Sequence, residues 1–227
     1  MATGARTHMG NGHMDNGAFL ILTQMLSPAF PVGAFSYSHG LEQAIDAGLV
    51  RDADGLQHWL DGVLAYGAGR NDALLLAAAF RAQSGAAREN LDVLALALAP
   101  SAERHDETRA LGAAFGRTAR GVWALELADH AYPVAVGTVA RVLGLAVAPV
   151  LALFLQGFLG NLVTIGVRAI PLGQTEGQRI LAALSGRVNE MLAGLLAADL
   201  DDIGGCAIAG DIAAMRHETM NTRIFRS

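Results

Sequence analysis

The chain contains no lysine: all sixteen of its basic residues are arginine. That absence excludes a phosphate loop of the P-loop type, the strand lysine of a protein kinase and any Schiff-base chemistry. Nucleotide hydrolysis, where it enters this protein's work, has to sit on a partner. Charge of either sign is scarce. Asp, Glu, Lys and Arg make up 16% of 227 residues, against roughly 25% in an average soluble domain, while 52% of the residues are hydrophobic. So apolar a chain has much surface to hide, and another protein can cover part of it. The net charge of −5 provides no basic field for nucleic acid or anionic lipid. The single cysteine, Cys206, cannot staple a fold and fits a reducing compartment.

What the chain does have is Ala and Leu at helical spacing. A first short helix over 18–26 should stop at Ser27-Pro28, because a residue before proline is pushed out of the α region. A helix over 37–47 follows an irregular Pro/Gly loop, with Ser36 as its N-cap and Gly48 as its stop. Asp52 opens a stretch interrupted near Gly67–Gly69 and resumed over 72–83. Further helices are expected over 86–99 and from the cap Ser101, the latter with Leu111, Phe115, Thr118, Val122 and Leu125 on one stripe. Tyr132-Pro133 breaks the chain before two apolar segments, 134–145 and 150–167. A last long helix starts at Thr175-Glu176-Gly177-Gln178, a capping box in form. The fold class is all-α: a single-domain bundle of about eight to ten helices over 17–205. A polar, Gly-rich tail without an apolar signal core precedes it at 1–16, and residues 206–227 follow as a short amphipathic piece with a basic end.

Val142 to Val167 carries no charge and is long enough for a membrane span. Against insertion, Pro149 splits the run, Gly144, Gly157 and Gly160 thin it, and Arg141 and Arg168 sit at both ends rather than on one side. The centre of a helical bundle requires the same all-round apolar helix, and that is the preferred reading.

Catalytic patterns are near misses. His217-Glu218 begins like a zinc-protease helix, but the second histidine one turn on is missing. Ser36, Ser38, His39 and Glu42 crowd hydroxyls, an imidazole and a carboxylate together, yet no nucleophile elbow surrounds either serine. No two of the seven histidines stand four residues apart; His8 and His13 could bind nickel or copper weakly at most. No catalytic residue, metal site or cofactor is assigned.

One segment is specific. Ser27-Pro28-Ala29-Phe30-Pro31-Val32-Gly33-Ala34-Phe35-Ser36-Tyr37-Ser38-His39-Gly40-Leu41-Glu42 closely resembles the N-terminal motif of the urease accessory protein F family. The similarity continues at Trp59-Leu60, at Asn71-Asp72, at Pro171–Arg179 and at the end, His217-Glu218 and Arg223-Ile224-Phe225-Arg226-Ser227. The resemblance implies a cytoplasmic, all-α homodimer without activity of its own. It would bind the urease accessory protein D (or H) and the urease accessory GTPase G to assemble the nickel centre of apo-urease, with no nucleic acid and no membrane involved. On this reading Gly33 and Gly40 allow a turn or close packing. Tyr37, His39 and Glu42 form a recognition edge. Residues 206–227 are a partner-binding tail in which Arg216, His217, Glu218, Arg223, Phe225, Arg226 and Ser227 make contacts and Met215, Met220, Ile224 and Phe225 are apolar anchors that order on binding. The rival readings are an arginine-supplying activator of the partner GTPase, an integral membrane protein, and a hydrolase using Ser36 or Ser38 with His39.

Overall fold

The computed structural model of the chain describes residues 15–226. Ser227 and residues 1–14, which hold most of the expected tail with its His8 and His13, lie outside the described residues, and Asn16, expected in the tail, opens the first helix. Among those described there are ten α-helices, two 3-10 turns and no strand. The helices are α1 (Asn16–Met25), α2 (Leu41–Asp46), α3 (Ala53–Tyr66), α4 (Ala68–Arg81), α5 (Gly85–Ala97), α6 (Ala102–Trp123), α7 (Tyr132–Val142), α8 (Val147–Ala169), α9 (Gln174–Ala197) and α10 (Ile208–His217). Asp52, Ser84 and Ser101 cap α3, α5 and α6 by accepting from the N–H three residues on, each contributing about 1 kcal/mol.

The core is built on the pairing of α4 with α7, the most closely packed helices in the molecule. Residues 73–79 of α4 and 133–140 of α7 are all buried, and most are Ala, Leu or Val. Small residues let the two backbones nearly touch: a Cβ on Gly137 would stand 2.3 Å from the Leu76 carbonyl oxygen. Helices α8 and α9 pack as a second pair. An aromatic cluster joins the layers. Phe30 from the proline-glycine loop lies 5.4 Å from Phe115 and stacks at 5.9 Å on Trp123, and Tyr132 links Phe115 to Phe154.

Several local expectations need correcting. The helix after the loop begins at Leu41, not at Tyr37, and Ser36 ends a 3-10 turn (Ala34–Ser36) instead of capping a helix. The reason is backbone: His39 and Gly40 are both left-handed, with φ of +53° and +76°, and no α-helix runs through two such residues. Ser38 does the capping, its hydroxyl accepting from the Glu42 N–H at 3.4 Å. Thr175 is inside α9, whose N-cap is Gly173, so the expected capping box does not form. Pro133 and Pro149 break nothing; each stands in the first turn of a helix, where the missing N–H costs little. The uncharged run is divided instead at Gly144, at φ +68°.

Helices α8 and α9 are both long and apolar enough to cross a membrane by length and composition. Half of the α8 stretch is buried inside the protein, and α9 is more open. The open face of α9 carries Ala182, Ala183, Gly186, Asn189, Glu190 and Ala193, which are small or polar side chains.

Candidate functional site

The loop segment and the end of the chain come together. Gly40 makes this possible, since a Cβ there would lie 2.6 Å from the Ala214 nitrogen and 2.9 Å from the Ala213 carbonyl carbon of α10. Helix α10 therefore seats directly on the start of α2, with Gly210, Ala213, Ala214 and His217 buried beneath it. The residues after α10 fold back over the same place. The Glu42 carboxylate accepts from the backbone N–H groups of Ile224 at 2.7 Å and Phe225 at 2.9 Å. Its Oε2 also lies 3.1 Å from His217 Nε2. The other ring nitrogen, His217 Nδ1, is 2.7 Å from Glu103 Oε2, and Glu103 Oε1 pairs with Arg223. Glu218 accepts from the Ala102 N–H at 2.7 Å, satisfying a donor in the first turn of α6. Arg226 donates its backbone N–H to the Ser36 carbonyl at 2.7 Å, and the Arg168 guanidinium lies 5.5 Å from the centre of the buried Phe225 ring.

A second polar cluster lies one residue deeper along α6. Arg104 pairs with Glu107 one turn on, lies 3.8 Å from Asp72 of α4, and is 3.1 Å from His39 Nε2. His39 Nε2 is also 3.0 Å from Glu107. The His39 ring meets Phe158 of α8 edge-on at 4.9 Å, and its Nδ1 has no hydrogen-bond partner. Burial lowers the affinity of His39 for a proton, the Arg104 charge lowers it further, and Glu107 opposes them. Burial alone would raise Glu107, but the Arg104 charge and the His39 contact overcome it and hold the carboxyl at about 2. Burial pushes Asp72 up to about 6, with Arg104 pulling against it and Glu107 adding to it.

This geometry relocates the sequence-based candidates. His39, Glu42, His217, Glu218, Arg223, Phe225 and Arg226 meet in one region, bound largely to each other and to α6. Tyr37 is half-buried near Arg104, contributing to the electrostatics of that guanidinium. Arg216 is exposed and Ser227 lies outside the described residues. Helix α10 and the residues after it are packed on the bundle, through Gly40, Glu42 and Ser36. The serine reading loses its support, because His39 is turned to Glu107 and Arg104. Among the described residues no group of three or more His, Cys, Asp and Glu is arranged to hold a metal ion.

Two sets of residues escaped the sequence reading. Glu103, Arg104 and Glu107 supply half of the charged carboxylates and guanidinia of the two clusters; their signal was a dense charged run, Glu103 to Glu107, in a charge-poor chain. The other set is an uncovered apolar stripe. Ile208, Ile212 and Met215 are 62%, 43% and 51% exposed, and their spacing of four and three residues puts them on one face of α10. Exposed Ile224 belongs to the segment folded back beside this helix, and exposed Tyr66 lies near its start, where Gly67 and Gly205 bring the chains together.

Comparison with known proteins places the chain. The UreF family model matches residues 50–185. The chain is 53% identical over 212 residues to the urease accessory protein UreF of Cereibacter sphaeroides, covering 93% of this chain and 100% of that protein. It is 49% identical over 210 residues to the UreF of Dinoroseobacter shibae, covering 92% and 99%. To the UreF of Roseobacter denitrificans it is 46% identical over 214 residues, covering 94% and 96%. An all-helical bundle that carries both terminal motifs and matches these proteins along nearly its whole length belongs to the UreF family of urease accessory proteins.

Proposed function

We propose that the chain is a non-catalytic, cytoplasmic scaffold of urease maturation, dimeric in its working form. It binds accessory protein D/H and, in that company, the GTPase G, and the complex delivers nickel to apo-urease. The observation that carries this reading is the two-sided character of α10. Its inner face is sealed by Gly210, Ala213, Ala214 and His217, while Ile208, Ile212 and Met215 remain open on the other side. A helix held rigidly with an unfilled apolar stripe is prepared for a protein partner, and we assign this face to D/H. The absence of lysine supports the division of labour, with nucleotide chemistry left to G.

Size-exclusion chromatography of the chain mixed with its cognate D/H and G proteins tests the assignment. A co-eluting complex that disappears with Ile212→Glu, while the isolated variant keeps its helical circular dichroism, is the expected result; a complex indifferent to charge on this face overturns it. Exposed Arg216 flanks the stripe and favours a second reading, in which an arginine stimulates hydrolysis by G. GTP turnover by G with the parent and with Arg216→Ala separates scaffold from activator.

A further inference from the structure

Each ring nitrogen of His217 faces a carboxylate oxygen, Nδ1 that of Glu103 at 2.7 Å and Nε2 that of Glu42 at 3.1 Å. A neutral imidazole has one N–H and one lone pair. In the neutral form one nitrogen would point its lone pair at a carboxylate oxygen, in a place where the His217 side chain is 0% exposed. Only the imidazolium donates to both. The charges agree with this count. Helix α2 brings Glu42, helix α6 brings Glu103, and the returning chain brings Arg223 onto Glu103. Two carboxylates are then balanced by Arg223 and a protonated His217. Of the other charges around this set, Glu218 is turned to the Ala102 N–H of α6 and the Arg168 guanidinium lies over the Phe225 ring.

The same carboxylates hold everything that follows. Glu42 carries the Ile224 and Phe225 amides and Glu103 carries Arg223, so the imidazolium sits between the two anchors of residues 218–226. We propose that these residues are a strap latched by the His217 imidazolium, and that loss of this one proton opens it. A neutral ring leaves two carboxylates facing one guanidinium, and the unbalanced charge is relieved by releasing Arg223, the two amides and Phe225 to solvent. Opening bares Glu42 and the seat of Phe225, while α10 stays in place on Gly40. Since the latch needs the protonated ring between two ionised carboxylates, it holds while the ring keeps its proton and is lost when that proton leaves on raising the pH. The switch lies within the chain, so it stands or falls independently of which partner uses α10.

The test is nuclear magnetic resonance of the full chain labelled with 15N. Both His217 ring nitrogens should carry protons while the strap is closed. Across the pH interval in which one proton leaves, exchange of the Ile224 and Phe225 amides, corrected for its intrinsic pH dependence, should accelerate roughly tenfold or more, while amides of α4 and α7 keep their protection. His217→Gln should exchange fast at every pH. Glu103→Gln, which retains the histidine but removes one facing charge, should move the opening to lower pH. A singly protonated ring in the closed form, or strap amides whose corrected protection is the same on both sides of the titration, overturns the proposal. So does a Glu103→Gln opening at the parent pH.

Discussion

Two polar clusters lie side by side in this molecule, built from neighbouring residues and made for different purposes. His39 and Glu42 stand on one segment, Glu103 and Arg104 are consecutive on α6, and yet His39 and Arg104 turn inward while Glu42 and Glu103 turn to the end of the chain. Consecutive helix residues point about 100° apart, so α6 serves both with one turn. The inner cluster ties the segment before α2 to α4 and α6 through one arginine balanced against Glu107 and Asp72. The outer one ties a returning chain to the surface. The difference teaches that an isolated ion pair can be structural glue or a fastening, and that the sequence distance it spans is no guide to which. Removing the arginine of the inner cluster should destabilise the whole bundle; breaking the outer cluster should only unfasten the end of the chain.

Arg104→Ala is the sharpest way to test that contrast. It strands Glu107, at 2% exposure, and leaves Asp72 without its cation. Removing one partner from a buried pair costs about 3–5 kcal/mol, to be read as a large fall in the urea or thermal midpoint. A midpoint near the parent's would mean that the inner cluster does not bind the helices together.

The pH dependence divides the inner cluster further. Glu107 is held at about 2, below its ordinary value. Its stabilising contribution is therefore present above the unfolded carboxylate value and lost as pH falls through about 2. Asp72 runs the other way. Raised by burial to about 6, its carboxyl adds no penalty while both states are protonated, and an increasing one as pH rises through about 6. Asp72→Asn should thus be more stable than the parent by about 1–2 kcal/mol at about pH 8 and equal to it near about pH 4. Equilibrium unfolding at the two pH values measures this, and an advantage that persists unchanged at the acid end would assign it to packing instead.

On the outer side, Glu42→Gln keeps an oxygen for one strap amide and removes the charge that faces His217. The expected loss is about 1 kcal/mol, confined to residues 218–226 in hydrogen-exchange mass spectrometry. Protection in α4 and α7 should not move. If those helices lose protection too, the two clusters act as one structural unit.

How much of this was legible in the sequence follows the same division between near and far. The helix stops at Ser27-Pro28 and Gly48, and the caps at Asp52 and Ser101, depend on groups within a few residues and were readable. The start of α2 was not, because the left-handed His39 is held by Arg104, 65 residues away. Glu42 and His217 were both picked out, but as recognition residues. Their contact spans 175 positions, and no periodicity or spacing encodes it. The tail's apolar residues, legible as anchors in the sequence, divide in the structure. Phe225 is buried in the bundle, whereas Met215 and Ile224 remain outside, a split that depends on where α10 lands on Gly40.

The smallest effect on stability should accompany the largest effect on binding, at the open stripe of α10. Ile208 is 62% exposed and Ile212 43%, so Ile208→Glu removes little burial and should stay within about 0.5 kcal/mol, the usual range for exposed substitutions, with Ile212→Glu costing somewhat more. The same change places a carboxylate in the middle of an apolar contact, and desolvating it should abolish a complex that depends on this face. Measured together, an unchanged melting curve and a lost D/H complex would separate the partner surface from both clusters beneath it. A lost complex with a lowered melting point would return α10 to the structural side of the comparison.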